Sequence, residues 1–223
     1  STRKESSAAS DVYKRQLATE AALKEIDSPH ILHIATHGFF LKNINVSDAN
    51  METRGITKVS NDSQTFNDLS SQKKIKNPLL ASGIALSGAN KFNIDLDIKA
   101  EEDGIVSAME IMGLNLSGTN LVVLSACNTG VGDVERGQGI FGLRRAFQIA
   151  GAKSLLTTLW KIPDRETVDL MRRFYLNLSG GKSKIDSLNL SIKDTILEIK
   201  NIRGTDHPFY WGGFILIGDP GLN

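Results

Sequence analysis

The sequence holds one cysteine among 223 residues, five prolines, two tryptophans and a near-even balance of 26 basic and 25 acidic side chains. Each scarcity removes a class of explanation. One cysteine cannot close an internal disulfide, and a free thiolate survives best in a reducing compartment. A formal net charge of +1 leaves no electrostatic footprint for direct binding of nucleic acid or of an acidic membrane surface. No stretch approaches the roughly 18 apolar residues of a membrane span, and no secretory signal is recognisable. Four histidines beside a lone cysteine show no metal-ligand spacing, so no metal is expected. Internal repeats and low-complexity tracts are also missing. What remains is an ordinary globular composition, 40% hydrophobic and 23% charged, long enough for one large domain. The expected location is the cytoplasm.

Residues 1–16 are polar and aperiodic, and Ser6 to Gln16 resembles translated adapter sequence. They are read as a non-native or disordered leader, which implies that the true N-terminus is missing and the chain is part of something longer. The domain proper is 17–223. Helical spacing runs from Leu17 to Ile26, and the apolar strand Ile31–Thr36 follows. Residues 43–76, rich in Asn, Ser, Asp and Lys, read as a surface insertion. Ser82–Gly88 reads as a short strand between glycines, and Asp103 as the cap of a short helix reaching Ile111. A second apolar strand, Leu121–Ala126, precedes a helix over Gln138–Ala150 that Gly151 ends. Ser154–Trp160 reads as a strand. Asp164 opens a helix with the buried stripe Val168, Met171, Phe174, Tyr175 and Leu178. A last helix carries Ile185, Leu188, Ile192, Ile196 and Ile199, and Phe214–Ile217 is the final strand. Strands alternating with helices of ten to fifteen residues predict an α/β fold with a mainly parallel central sheet flanked by helices.

Two strands end in chemistry. Ile31–Thr36 delivers His37-Gly38, and Leu121–Ala126 delivers Cys127 into the glycine-rich Asn128-Thr129-Gly130-Val131-Gly132. The carboxyl edge of such a sheet is where ligands bind. A thiol there needs a base, for which His37 is the natural choice, and backbone donors for an oxyanion, which the N–H groups of Gly38 and Cys127 could supply. His33 reads as a satisfied core histidine, and His30 and His207 as ordinary loop residues. The Gly130–Gly132 and Gly137–Gly139 pairs complete neither a Walker lysine motif nor a dinucleotide fingerprint. Asp164 caps the helix that begins at Arg165, or turns its carboxylate to the same cleft, or does both.

These residues resemble the CHAT family, caspase-like peptidase domains often attached to tetratricopeptide repeats and related to separase. The resemblance rests on Ile31 to Gly38, on Leu121 to Gly130, and on the run Arg136 to Phe147. It extends through Gly151 to Ser154, Leu159 to Asp164, and the tail His207 to Phe214. It implies a caspase-haemoglobinase-like sandwich and a cysteine endopeptidase with His37 as base and Cys127 as nucleophile. It also implies an oxyanion hole at Gly38 and Cys127, and Ser125 lining the primary specificity pocket. Asp164 falls where separase-like relatives select arginine, implying cleavage after Arg or Lys. The His37–Cys127 gap is longer than the roughly 50 residues of caspases, and the insertion at 43–76 with the segment up to Glu102 accounts for it. No cofactor is needed. The implied partners are a specific protein substrate and an upstream regulatory repeat domain or sensor protein, with no direct contact to nucleic acid or membrane. The glycine-rich segment Thr129–Gly139 has the composition of a movable loop. The alternative is a catalytically silent caspase-like interaction module; a nucleotide-binding domain is a third reading.

Overall fold

Two buried clusters, one on each face of a single sheet, account for the architecture. The structure, a computed structural model, describes residues 15–40, 45–46, 73–74, 79, 82–89, 103–126 and 138–221. Six strands form the sheet in the order β5-β4-β1-β6-β7-β8, where β1 is Ile31–Phe40, β4 Ser82–Ala85, β5 Ile105–Ser107, β6 Leu121–Ala126, β7 Ser154–Thr158 and β8 Phe214–Gly218. The central strands β1, β6 and β7 are parallel, as the sequence predicts. The outer strands β4, β5 and β8 close the sheet with antiparallel pairings. Asn45–Val46 (β2) and Lys73–Lys74 (β3) form a separate antiparallel pair inside the segment read as an insertion.

Alternation along β6 divides the core. Val122 and Leu124 face one cluster with Ile34 and Leu155, together with Leu23 of helix α1 (Glu20–Lys24), Ile111 of α2 (Ala108–Ile111), and Leu143 and Phe147 of α3 (Gln138–Ile149). Leu121 and Val123 face the other, with Leu156 and Phe214, Leu170 and Phe174 of α4 (Asp164–Ser179), and Leu188 of α5 (Lys184–Arg203). A strand covered on both faces has no solvent side to mark with polar residues, which is why β6 opens on the unbroken apolar run Leu121–Leu124, while β7 buries Ser154, Thr157 and Thr158 beside Leu155 and Leu156. The turn after α3 depends on Gly151, whose φ of +106° favours glycine. A Cβ there would lie 2.8 Å from the Ser117 Cα.

Several expectations are corrected. Residues 105–107 are a strand, so the helix starts only at Ala108. Its cap is Ser107, not Asp103: the Ser107 hydroxyl accepts the Glu110 N–H while the Glu110 carboxylate accepts the Ser107 N–H, a capping box. Asp103 instead accepts the Ile105 N–H at 2.7 Å, shaping the approach to β5. The first helix is shorter than Leu17–Ile26, because Thr19 caps it and Glu25 ends it. Asp164 is itself the first residue of α4. Pro163 holds the cap position without a side-chain hydrogen bond, so the expected Asp164 cap is absent. Val168 is 64% exposed, and Leu170 takes its place in the buried stripe.

Phe174→Ala is expected to lower unfolding free energy by about 3–5 kcal/mol through lost transfer energy and a residual cavity. Val168→Ala should stay within about 0.5 kcal/mol. Urea denaturation of the two variants checks the placement of the stripe.

Candidate active site

β1 serves two ladders. Its residues Ile31 to Thr36 pair with β6, and His37 to Phe40 pair with β4. The chain leaves β1 toward β4 and β5 on one side, then crosses to β6 on the other, so the strand order reverses between β1 and β6. In open α/β sheets the crevice beyond the carboxyl ends at such a switch point is where ligands bind. His37 is the first residue past the β6 ladder, exposed and in register with Ala85. The preceding residue is anchored, because the Thr36 hydroxyl donates to the Ala85 carbonyl. Gly38 is buried in register with Ile84.

β6 ends at Ala126, and Cys127 with residues 128–137 lies outside the described residues. The expected movable loop falls there too, except that Gln138 and Gly139 already belong to α3. Ser125 is half-buried in register with Ala35. Parallel partners point the same way, so alternation puts Ser125, Ala35 and His37 on the face that carries α4 and α5. The structure thus brings His37, Gly38 and Ser125 to one end of adjacent strands. Asp164 stands exposed at the first turn of α4, the helix that follows β7.

Two resembling segments, 159–164 and 207–214, meet each other. The Leu159 N–H donates to the Gly213 carbonyl at 2.8 Å, and the Trp160 indole N–H donates to the Phe209 carbonyl at 3.0 Å. Gly213 permits this approach, since a Cβ there would fall 3.0 Å from the Trp160 ring and 3.1 Å from Ile162 Cδ1. Buried Glu166, in the same first turn as Asp164, receives the Arg203 guanidinium through Nε at 2.9 Å and Nη2 at 2.5 Å. Arg203 also lies 5.0 Å over the Tyr210 ring. This clamp fixes the start of α4 and escaped the sequence reading. Glu166 resembles any acidic residue favoured at a helix start, and nothing local marks Arg203 as its partner.

His33 is a further correction. It lies on the open face of β1, not in the core, with Nδ1 2.9 Å from the Tyr175 hydroxyl. Partial loss of water lowers its pKa below 6.5 and pushes the Tyr175 phenol up to about 12. His30 shares a 2.7 Å contact between its Nε2 and the Asn120 amide, and His207 Nδ1 accepts the Phe209 N–H at 3.2 Å. Both are loop contacts. Among the described residues no three His, Cys, Asp or Glu side chains converge as a metal site, and no helix is long and apolar enough to cross a membrane.

A cavity of about 870 Å³ lies elsewhere, at the amino ends of β1 and β6, where Ile31 and Leu121 line it. It therefore sits on the sheet edge opposite His37. A large pocket is the usual first candidate for chemistry, whereas the residues expected from the sequence to be reactive lie toward the other end of these strands.

Because His33 is less basic in the folded chain than in the unfolded one, the unfolded state takes up the proton first. That contribution to stability is complete above about pH 6.5 and is lost as pH falls toward the folded value. Thermal melts between pH 7.5 and 5 should show this fall, and His33→Gln should flatten it.

A family model described as CHAT domain matches residues 3–219. The chain is also similar to tetratricopeptide repeat protein 28 of Mus musculus, with 33% identity over 114 residues, and of Homo sapiens, with 30% over 114 residues. Each match covers 51% of this chain and 4% of the relative, so the chain spans only a small part of those proteins.

Proposed function

Since the chain belongs to the CHAT domain family, within the caspase-like cysteine peptidase superfamily, we propose that it is a cysteine endopeptidase working through His37 and Cys127. One observation carries this reading. Every described β1–β6 pair, from Ile31 with Leu121 to Thr36 with Ala126, joins residues 90 apart in the chain. His37 and Cys127 are also 90 apart, and each directly follows the last pair. The same register that builds the sheet supports base and nucleophile as neighbours at its switch point.

In this mechanism His37 takes the Cys127 thiol proton, and the thiolate attacks the scissile carbonyl carbon. The Gly38 and Cys127 N–H groups receive the oxyanion as the carbonyl π bond opens. The tetrahedral species collapses, the C–N bond breaks, and His37 gives its proton to the leaving amine. Water then attacks the thioester with His37 again as base, releasing the acid and restoring the thiol. Ser125, on the face of His37, lines the primary pocket, and the Asp164 carboxylate selects Arg or Lys there. The clamp of Glu166 on Arg203 supports this last assignment by holding the turn that carries Asp164. The substrate is a specific protein. A repeat or sensor region governs the domain, a reading supported by relatives named for tetratricopeptide repeats. The lone thiol suits work in the reducing cytoplasm.

Cleavage of a peptide library by wild type, Cys127→Ala and His37→Ala tests the reading. Each substitution is expected to reduce turnover by about 10³-fold or more. Asp164→Asn should lower kcat/KM for Arg and Lys substrates by about tenfold or more while sparing others. Iodoacetamide should alkylate Cys127 well below pH 8.5. Silence from all forms with ordinary thiol reactivity would overturn the proposal in favour of a silent interaction module.

A further inference from the structure

The cavity at the amino edge of β1 and β6 is independent of the cysteine chemistry and has its own character. Ile31, Leu121, Leu176 and the Tyr175 ring give it apolar lining. Leu176 is 61% exposed and Ile31 is 37% exposed, so apolar surface faces solvent along an open groove. Charge at its edge is unbalanced. The lining anion, Asp219, receives Lys184 Nζ at 3.3 Å, and the same ammonium donates to the Ser154 hydroxyl at 2.7 Å and to the Asn120 carbonyl at 3.2 Å. That pair neutralises itself and pins the start of α5 beneath the sheet. Arg172 and Lys182 also line the groove, are exposed, and take part in no ion pair among the described residues.

We propose that this groove docks an acidic peptide segment of a partner protein, with an apolar side chain seated between Ile31 and Leu176 and its carboxylates on Arg172 and Lys182. The volume suits a short peptide stretch rather than a lone ion, since sites for small ligands span roughly 300–1,000 Å³ and this one holds about 870 Å³. Two unpaired cations beside apolar surface give the complementarity that selects anionic partners and speeds their encounter. The groove lies at the opposite sheet edge from His37, so a bound segment would hold a partner without obstructing that residue.

The test is fluorescence anisotropy on the 223-residue chain with three labelled octapeptides, alternating Glu with Leu, Gln with Leu, and Lys with Leu. Binding of the Glu peptide alone, weakening as salt rises, is expected. Arg172→Glu with Lys182→Glu should cost about tenfold or more in affinity and transfer preference to the Lys peptide. Leu176→Asp should also weaken binding. All three positions are exposed, and far-UV circular dichroism verifies that the fold survives. Equal binding of the Gln peptide, unchanged affinity in the double variant, or displacement by inorganic phosphate as effective as by unlabelled Glu peptide would overturn the proposal. None of these readouts depends on Cys127, so failure here and failure of the peptidase reading are distinguishable.

Discussion

Leu121 to Leu124 of β6 are buried on both faces of the sheet, and much else follows from that. Leu121 and Val123 need the layer of α4 and α5, while Val122 and Leu124 need the layer of α1, α2 and α3. A strand buried on both sides is strongly specified in register, because a one-residue slip would exchange every side chain between two differently shaped clusters. Its partner β1 inherits that register, and the end of β1 inherits its height above the sheet. The placement of His37 is therefore a product of core packing some distance away. No local feature of the histidine itself would have fixed it.

The two ladders of β1 are anchored by different means. Against β6 the strand is held by a parallel ladder over Ile31–Thr36, and against β4 by an antiparallel ladder with the Thr36 hydroxyl bonded to the Ala85 carbonyl. Away from the sheet, α4 is tied at both ends of its range of influence. Arg203 grips Glu166 near its start, while Tyr175 reaches from its later turns to His33. Each contact involves a polar group that has surrendered much of its water. Such groups cost free energy when a partner is removed, so these bonds favour one arrangement over its competitors more than they add net stability.

Much of this order was legible in the chain. The apolar run of β6, the helical stripe of α3 with Leu143 and Phe147, and the α5 positions Leu188 and Ile199 extend over enough residues to speak for themselves. β5 was not, since three residues carry no period, and Ser107 then took over the capping expected of Asp103. Val168 misled because a β-branched apolar residue was counted into an arc that Leu170, Met171 and Phe174 already fill. His33 looked like a core residue because its strand is apolar, yet it is exposed, with its ring nitrogen at the Tyr175 hydroxyl of α4. Ser125 was legible near the end of its strand, but His37 and Gly38 were read as following a strand that stops at Thr36, whereas β1 runs on through both to Phe40 because it pairs there with β4. The Glu166 clamp and the Lys184 clamp join residues distant in sequence, and no local pattern announces such pairs.

The link from Phe40 to Ser82 joins two strands that already lie side by side. Closing a loop between such neighbours costs entropy only as the logarithm of its length, about 0.6 kcal/mol for each doubling. A change in the number of residues between Phe40 and Ser82 therefore alters that closure cost only slightly. The pairing of Phe40 with Ser82 at its two ends sets the geometry that such a span must meet, whatever its length.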